Sequence, residues 1–275
     1  MTDRYAVIGN PVAHSKSPAL QTAFARQCGH TIDYVKIAAP LDGFVETVRR
    51  FRDDGGKGAN ITIPFKMQAF ALADELTPRA KAAGAVNSFS FRDDASILGD
   101  NTDGVGLVRD IVCNQNVPIR GARILLLGAG GAVRGALGAL LAEKPASIFL
   151  ANRTPSKAVS LAEEFGKSAP SARATTVAGG GFAEAKGGFN LIINATASSI
   201  AGETPPIPEE CWQGAALAYD LFYQQDATPF LCAAQAAGVK QAVDGLGMVV
   251  EQGAECFFLW RGVRPETAPV IAMLR

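Results

Sequence analysis

Asn60, Thr62, Lys66, Asn87 and Asp103 gather around two tight motifs, Asn60-Ile-Thr-Ile-Pro-Phe-Lys66 and Gly99-Asp-Asn-Thr-Asp-Gly104. Lysine is a suitable proton donor and acceptor when a carboxylate positions it, and Lys66 with Asp103 offers that pairing. On a strand, Asn60 and Thr62 leave one face while Ile61 and Ile63 leave the other. Polar groups on one face of a buried parallel strand point to a ligand. Taken singly, Lys66 or Asp103 reads as a solvated surface charge; the motifs around them favour chemistry. About twenty residues after the second motif, a strand-like Arg123-Ile-Leu-Leu-Leu127 opens into Gly128-Ala-Gly-Gly-Ala-Val-Arg-Gly135. A polar substrate site beside such a nucleotide-binding turn suggests hydride transfer.

Gly128, Gly130 and Gly131 permit backbone conformations closed to other residues and let a pyrophosphate approach the main chain. The helix beginning near Gly131 directs free N–H groups at the anion. A bare Gly-x-Gly is equally a structural turn, but here four apolar residues precede it, a helix follows, and a second strand completes a short βαβ unit. That strand ends in Ala151-Asn-Arg-Thr-Pro-Ser-Lys157, about 22 residues past Gly130, where an NAD-binding unit places an acid for the ribose 2′-hydroxyl. No acid stands there. Arg153 offers a planar fork for a 2′-phosphate, Thr154 can cap the helix ahead of Pro155, and Lys157 adds a second cation one turn on. The expected cofactor is NADP, against the plain alternative of a solvated basic turn.

These groups must be held by a scaffold, and the chain alternates strands and helices throughout. Tyr5-Ala-Val-Ile-Gly9, Asp33-Tyr-Val-Lys-Ile37 and Ala59-Asn-Ile-Thr-Ile63 read as strands, each followed by helical signals, which predicts βαβ units and a parallel sheet. Leu41, Phe44, Val45, Val48 and Phe51 share one helical face, and Gly55-Gly56 stops that helix. Lys66 opens the next helix after Pro64, and Val86–Phe91 with Ile97–Asn101 forms a hairpin closing a first domain. A second series follows: strand 123–127, helix 131–143, strand 147–151, helix 155–166, strands 189–194 and 215–220, helix 227–237 and strand 239–243, with Gly179-Gly-Gly181 and Gly187-Gly188 as loops. This is a doubly wound, Rossmann-type pattern. The fold class is therefore α/β with two domains: 1–103 for substrate, 104–245 for nucleotide, and helices in 246–275 packing back on the first.

Composition narrows the rest. In 275 residues, 48% hydrophobic and 19% charged describe an ordinary globular protein with room for two cores. Lys plus Arg and Asp plus Glu are 26 each with no basic run, so nucleic acid is not an expected partner. No export signal and no apolar stretch of about 18 residues is visible, so a cytoplasmic, non-membrane protein is expected. Cys28, Cys113, Cys211, Cys232 and Cys256 are odd in number and widely spaced, and His14 and His30 are the only histidines, which predicts free thiols and no metal.

Ser15 and Ser17 in His14-Ser-Lys-Ser-Pro18 occupy alternate positions; in an extended segment both hydroxyls point the same way and could hold a carboxylate, although Ser before Pro is also a frequent helix start. With these residues on the page, the chain resembles the shikimate dehydrogenases, the NADP-dependent reductases of aromatic amino-acid biosynthesis. The resemblance runs nearly end to end through Gly9-Asn-Pro11, Ser15-Lys-Ser-Pro18, Asn60–Lys66, Gly84-Ala-Val-Asn87, Gly99–Gly104, Gly128-Ala-Gly-Gly-Ala132, Asn152-Arg-Thr154, Asn194-Ala-Thr196, Asp220 with Tyr223, and Asp244–Gln252.

The resemblance implies that Ser15 and Ser17 bind the substrate carboxylate, that Asn60, Thr62, Asn87, Asp103, Tyr223 and Gln252 hold ring hydroxyls or line the pocket, and that Lys66 is the catalytic lysine with Asp103 as partner. It places Ala129, Ala132 and Asn152 in the nucleotide motifs, and Asn194, Ala195, Thr196, Leu221 and Gly245 on the ribose and nicotinamide side. The chain departs from the family pattern at Gln21-Thr22, Ser88 and Ala197, none of them assigned to chemistry. The implied reaction is the reversible reduction of 3-dehydroshikimate to shikimate by a monomer or homodimer. Mixed quinate/shikimate specificity and a non-catalytic NADP-binding regulatory protein are the alternatives; a methyltransferase explains neither Arg153 nor the Lys66–Asp103 pair.

Overall fold

The computed structural model describes residues 2–168 and 175–275. The chain divides into two compact units, residues 1–106 with 249–275, and 107–248.

In the first unit the order is β1 (Asp3–Gly9), α1 (Ser17–Gln27), β2 (Ile32–Ala38), α2 (Phe44–Asp53), β3 (Gly56–Ile61), α3 (Lys66–Leu72), β4 (Glu75–Leu76), α4 (Pro78–Ala83), β5 (Ser88–Phe91) and β6 (Ile97–Asp100). The sheet order is β2-β1-β3-β5-β6-β4. β1, β2 and β3 are parallel, whereas β5 runs antiparallel to both β3 and β6, so the expected hairpin is the far half of the sheet. Thr77 starts α4 by accepting the Ala80 N–H, and Gly84 ends it with φ +62°.

Two details differ from the sequence reading. On α2, Phe44, Val48 and Phe51 are buried as the periodicity requires, but Leu41 and Val45 are exposed, Leu41 lying before the helix begins. β3 ends at Ile61, so the alternation does not reach Ile63, which is 62% exposed while Ile61 is buried. The turn after Ile61 carries its own geometry, including a cis Ile63–Pro64 bond, and period-2 burial holds only while the ladder lasts.

The second unit begins within α5 (Asp103–Arg109), which runs into a π-helical turn at Asp110–Asn114 that composition did not foreshadow. It contains β7 (Arg123–Leu127), α6 (Gly131–Ala142), β8 (Ser147–Ala151), α7 (Pro155–Ser168), β9 (Thr176–Gly180), β10 (Leu191–Asn194), β11 (Leu217–Asp220), α8 (Pro229–Ala236) and β12 (Gln241–Val243). All strands are parallel in the order β12-β11-β10-β7-β8-β9, the doubly wound arrangement with its switch point between β7 and β10. β9 corrects the loop expected at Gly179–Gly181. Its Gly179 packs where a Cβ would meet the Ala158 carbonyl at 2.3 Å, so glycine here serves close strand–helix approach. Ile124, Leu126, Leu137, Leu140 and Tyr219 form the core on one sheet face, and Leu125, Leu127, Trp212 and Phe230 on the other.

The chain returns through α9 (Leu246–Arg261) and ends with α10 (Ala268–Leu274). Within the first unit, Val250, Ala254, Phe257 and Val270 from these helices pack against Leu20, Phe24 and Ala25 of α1. Gln21, buried on the same face, donates its side-chain amide to the Gly253 carbonyl at 3.0 Å.

Candidate active site

The first motif is anchored by Phe65, fully buried and stacked on Phe44 with ring centroids 4.7 Å apart. That anchor sets Lys66 at the start of α3, its carbonyl accepting the Val86 N–H. The second motif turns into α5, with Asp103 in the first turn and its N–H donated to Asn101 Oδ1 at 3.1 Å. Lys66 Nζ and Asp103 Oδ2 meet at 2.6 Å, with the lysine one-third exposed. The other carboxylate oxygen accepts from Asn87 Nδ2 at 2.7 Å. Asn87 is itself held, for its Oδ1 takes the Thr102 N–H at 2.9 Å and its Nδ2 lies 3.0 Å from Thr102 Oγ1. Gln252 Oε1 stands 3.3 Å from both Asn87 Nδ2 and Thr102 Oγ1. An accessible ammonium, a carboxylate with both oxygens engaged and a buried amide therefore form one cluster.

Asn60 lies behind it. Its Oδ1 accepts the Tyr34 hydroxyl at 2.7 Å, and its Nδ2 points at Cys256 Sγ at 3.1 Å and the Asn87 carbonyl at 3.4 Å. The side chain is only 6% exposed, so its hydrogen-bonding groups are engaged within the protein. Burial pushes the Tyr34 hydroxyl far above its ordinary pKa, and electrostatic coupling to the Cys256 thiol adds to this. Cys256 also contacts Thr102 Oγ1 at 3.3 Å, and burial raises its thiol pKa. A continuous polar chain thus runs from Tyr34 through Asn60, Cys256, Thr102 and Asn87 to Asp103 and Lys66. Tyr34, Thr102 and Cys256 were not singled out from sequence. Thr102 sits inside the second motif, but Tyr34 and Cys256 read as ordinary core residues.

Ser15 and Ser17 are brought together differently from the extended arrangement expected. Lys16 between them is helical, with φ −83° and ψ −5°, and α1 begins at Ser17. Ser15 Oγ accepts the Ser17 N–H at 3.3 Å, leaving the two hydroxyl oxygens 3.1 Å apart and half-buried. Thr62 donates its N–H to the Ile8 carbonyl, and its methyl group sits where a Cβ on Gly9 would come within 2.3 Å.

In the second unit, Gly128 follows β7 with φ +116°, a conformation few residues with a side chain adopt, and an added Cβ would meet the Ala195 carbonyl at 3.1 Å. Added Cβ atoms on Gly130 and Gly131 would meet nothing within 4 Å, so the turn presents bare backbone to open space at the head of α6. Ala129 and Ala132 complete that turn. At the end of β8, Asn152 Nδ2 donates to the Thr154 carbonyl at 3.0 Å, and that carbonyl also takes the Lys157 N–H, so Thr154 opens α7 through its backbone and not its hydroxyl. Arg153 and Lys157 are exposed and make no ion pair among the described residues. An open glycine cradle, two uncommitted cations and no acid at the strand end fit a dinucleotide carrying a 2′-phosphate.

Across the switch point, Asn194 is fully buried and turns inward: its Oδ1 accepts from Thr196 N and Oγ1, and its Nδ2 donates to Asp220 and Ser199. Asp220, buried and with no cation partner among the described residues, also accepts from Ser199 and Thr228 hydroxyls at 2.5 and 2.7 Å and from the Phe222 N–H at 3.1 Å. It shapes the turns carrying Ala195, Thr196 and Leu221. Gly245 packs so closely that a Cβ would meet the Leu221 carbonyl at 2.2 Å. Tyr223 belongs to this unit, half-buried, with its pKa raised by burial and by the charge of Asp244. Among the described residues no cluster of three or more His, Cys, Asp or Glu could hold a metal ion.

Three family profiles match the chain: the shikimate dehydrogenase substrate binding domain over residues 7–89, shikimate / quinate 5-dehydrogenase over 112–200, and the shikimate 5′-dehydrogenase C-terminal domain over 245–275. The chain is 54% identical to the shikimate dehydrogenase (NADP(+)) of Nitrosospira multiformis, covering 100% of this chain and 98% of that protein. It is also 54% identical to the protein of the same name from Aromatoleum aromaticum, covering 99% and 97%. Among solved structures, an Ael1 enzyme from Pseudomonas putida is similar with a TM-score of 0.92 and 44% identity over 99% of this chain and 98% of that one. Shikimate 5-dehydrogenase from Thermus thermophilus, in complex with NADP(H) and shikimate, gives a TM-score of 0.83 and 31% identity over 98% of each chain.

Proposed function

The chain belongs to the shikimate dehydrogenase family, and on that premise we propose that Lys66 and Asp103 carry out its proton chemistry. It is an NADP-dependent oxidoreductase, and its reaction is the reversible reduction of 3-dehydroshikimate to shikimate. The single observation that carries the residue assignment is the 2.6 Å contact of Lys66 Nζ with an Asp103 carboxylate whose other oxygen is held by Asn87.

When bound, NADPH supplies the hydride that adds to the ketone carbon. The ammonium of Lys66 gives its proton to the oxygen as the carbonyl bond opens, and it is recharged from solvent; in the oxidation of shikimate the neutral amine takes that proton back. Asp103 fixes the ammonium in place, and Asn87 fixes Asp103. The paired hydroxyls of Ser15 and Ser17 receive the substrate carboxylate, with Thr62, Gln252 and Tyr223 at the ring hydroxyls. Asn60 lines the pocket from behind, its role being to hold Asn87 and the pocket floor in register.

On the cofactor side, Gly128, Ala129, Gly130, Gly131 and Ala132 cradle the pyrophosphate. Asn152, Arg153, Thr154 and Lys157 take the 2′-phosphate and adenosine. Asn194, Ala195, Thr196, Leu221 and Gly245 shape the ribose and nicotinamide side. The substrate half is assigned to residues 1–103 with 246–275 and the cofactor half to 104–245. No helix among the described residues is long and apolar enough to cross a membrane, and we place the protein in the cytoplasm as a monomer or homodimer.

The test is turnover of purified protein with shikimate or quinate, each with NADP or NAD, followed by absorbance of the reduced nicotinamide. Selective turnover of shikimate with NADP is expected. Comparable turnover of quinate, which carries an extra hydroxyl beside its carboxylate, moves the protein to mixed specificity, and NADP binding without turnover removes the catalytic assignment.

A further inference from the structure

A cavity of about 300 Å³ opens between the starts of α6 and α7, lined by Ala129, Arg134, Ser156, Lys157, Ser160 and Glu164. Ala129 belongs to the glycine turn and Lys157 to the basic segment after β8, so the cavity is continuous with the cofactor site of the preceding section, on which this inference rests. Two cations and two hydroxyls around a space of this size suit a phosphate. The wall also carries a carboxylate, which a phosphate site has no electrostatic reason to hold.

Each oxygen of that carboxylate accepts from one of the cations. Arg134 lies in the first turn of α6, its N–H bonded to the Gly130 carbonyl at 3.1 Å. Its guanidinium meets Glu164 fork to fork, with Nη1–Oε1 2.5 Å and Nη2–Oε2 2.8 Å, and lies 6.0 Å from the centre of the Phe165 ring. The side chains are 35% and 48% exposed, a setting in which an ion pair adds little to stability. The pair's position on the cavity wall is the more informative property. A 2′-phosphate presents the same bidentate acceptor geometry as a carboxylate with more charge, and competes with Glu164 for the same fork.

We propose that Arg134 is a further selectivity residue for the adenosine 2′-phosphate, and that Glu164 restrains it, keeping the guanidinium on the cavity wall while opposing the phosphate by its own charge. Arg134 and Glu164 therefore act in opposite directions on cofactor affinity. A purely structural ion pair has no such asymmetry.

The experiment is calorimetric titration of the full chain and two variants, Arg134→Gln and Glu164→Gln, with adenosine 2′,5′-bisphosphate and with 5′-AMP, which lacks the 2′-phosphate. The wild type is expected to prefer the bisphosphate. Arg134→Gln is expected to weaken the bisphosphate by about tenfold or more, as for a lost hydrogen bond to a charged group, and to leave 5′-AMP unchanged. Glu164→Gln is expected to strengthen the bisphosphate several-fold. Thermal melts of both variants check that they fold, and the exposure of the pair makes large losses unexpected. An unchanged bisphosphate affinity in Arg134→Gln, or weakening by a similar factor in both variants, overturns the proposal while leaving the NADP reading intact. A wild type that does not distinguish the two ligands overturns the NADP reading and this inference with it.

Discussion

Asn87 Nδ2 stands 2.7 Å from one oxygen of Asp103 while Lys66 Nζ stands 2.6 Å from the other, so a single carboxylate is oriented by an amide on one side and an ammonium on the other. Removing the ammonium without removing the side chain's bulk isolates its role. Lys66→Met is expected to lower kcat by about 10²–10⁴-fold, the usual contribution of a positioned general acid or base, with KM for shikimate little changed. Steady-state kinetics decide this, and a variant with near-normal turnover would demote Lys66 to a binding residue.

Beneath the site, the buried Tyr34 hydroxyl donates to Asn60. Tyr34→Phe keeps the ring and leaves Asn60 Oδ1 without its 2.7 Å donor in a buried setting. The cost is about 1–3 kcal/mol for an unsatisfied buried acceptor, read as a lower midpoint of denaturant unfolding at an unchanged slope. No shift in the midpoint means that Asn60 finds another partner and that the polar chain beneath the site is not required.

Cofactor selectivity is predicted to depend on the turn after β8. Arg153→Ala is expected to weaken NADP binding by roughly 1.5–3 kcal/mol, as for a hydrogen bond to a charged group, and to leave NAD little changed. Fluorescence titration with both dinucleotides makes the comparison, and equal losses for the two would place Arg153 outside the 2′-phosphate site.

Thiol reactivity gives a test of burial that is independent of catalysis. Cys113 and Cys232 are exposed, Cys28 is intermediate, and Cys211 and Cys256 are buried. Burial disfavours a thiolate, and with the nearby charge of Glu210 it pushes the Cys211 pKa up to about 11. A raised thiol pKa means the reactive anion is scarce below that pH, about one part in a thousand near pH 8. In the native protein, a disulfide reagent at that pH should modify Cys113 and Cys232 quickly, Cys28 more slowly, and Cys211 and Cys256 only on unfolding. Rapid native labelling of Cys256 contradicts its place beneath Asn60.

The alternation of strands and helices, the apolar run of β7, the glycine turn after it and the missing acid at the end of β8 are all local features. They depend on neighbours a few residues apart, and side-chain type and spacing report them directly. The pairing of Lys66 with Asp103 was also legible, because both lie in short polar motifs inside an otherwise apolar pattern. Other features answer to contacts between segments far apart in the chain. Tyr34 and Cys256 look like core residues until β2 and α9 bring them to Asn60. Leu41 and Val45 fit the helical stripe by spacing, but Leu41 precedes the helix and both are exposed. Gly179 reads as a loop until β9 pairs with β8 against α7, and the serines of the Ser15–Ser17 segment meet because a helix starts between them, not because the chain is extended. Spacing along the chain could propose which groups do chemistry; only the packing of distant elements decided which of them are supported, and by what, because burial and hydrogen-bond completion are settled by the partner and not by the residue itself.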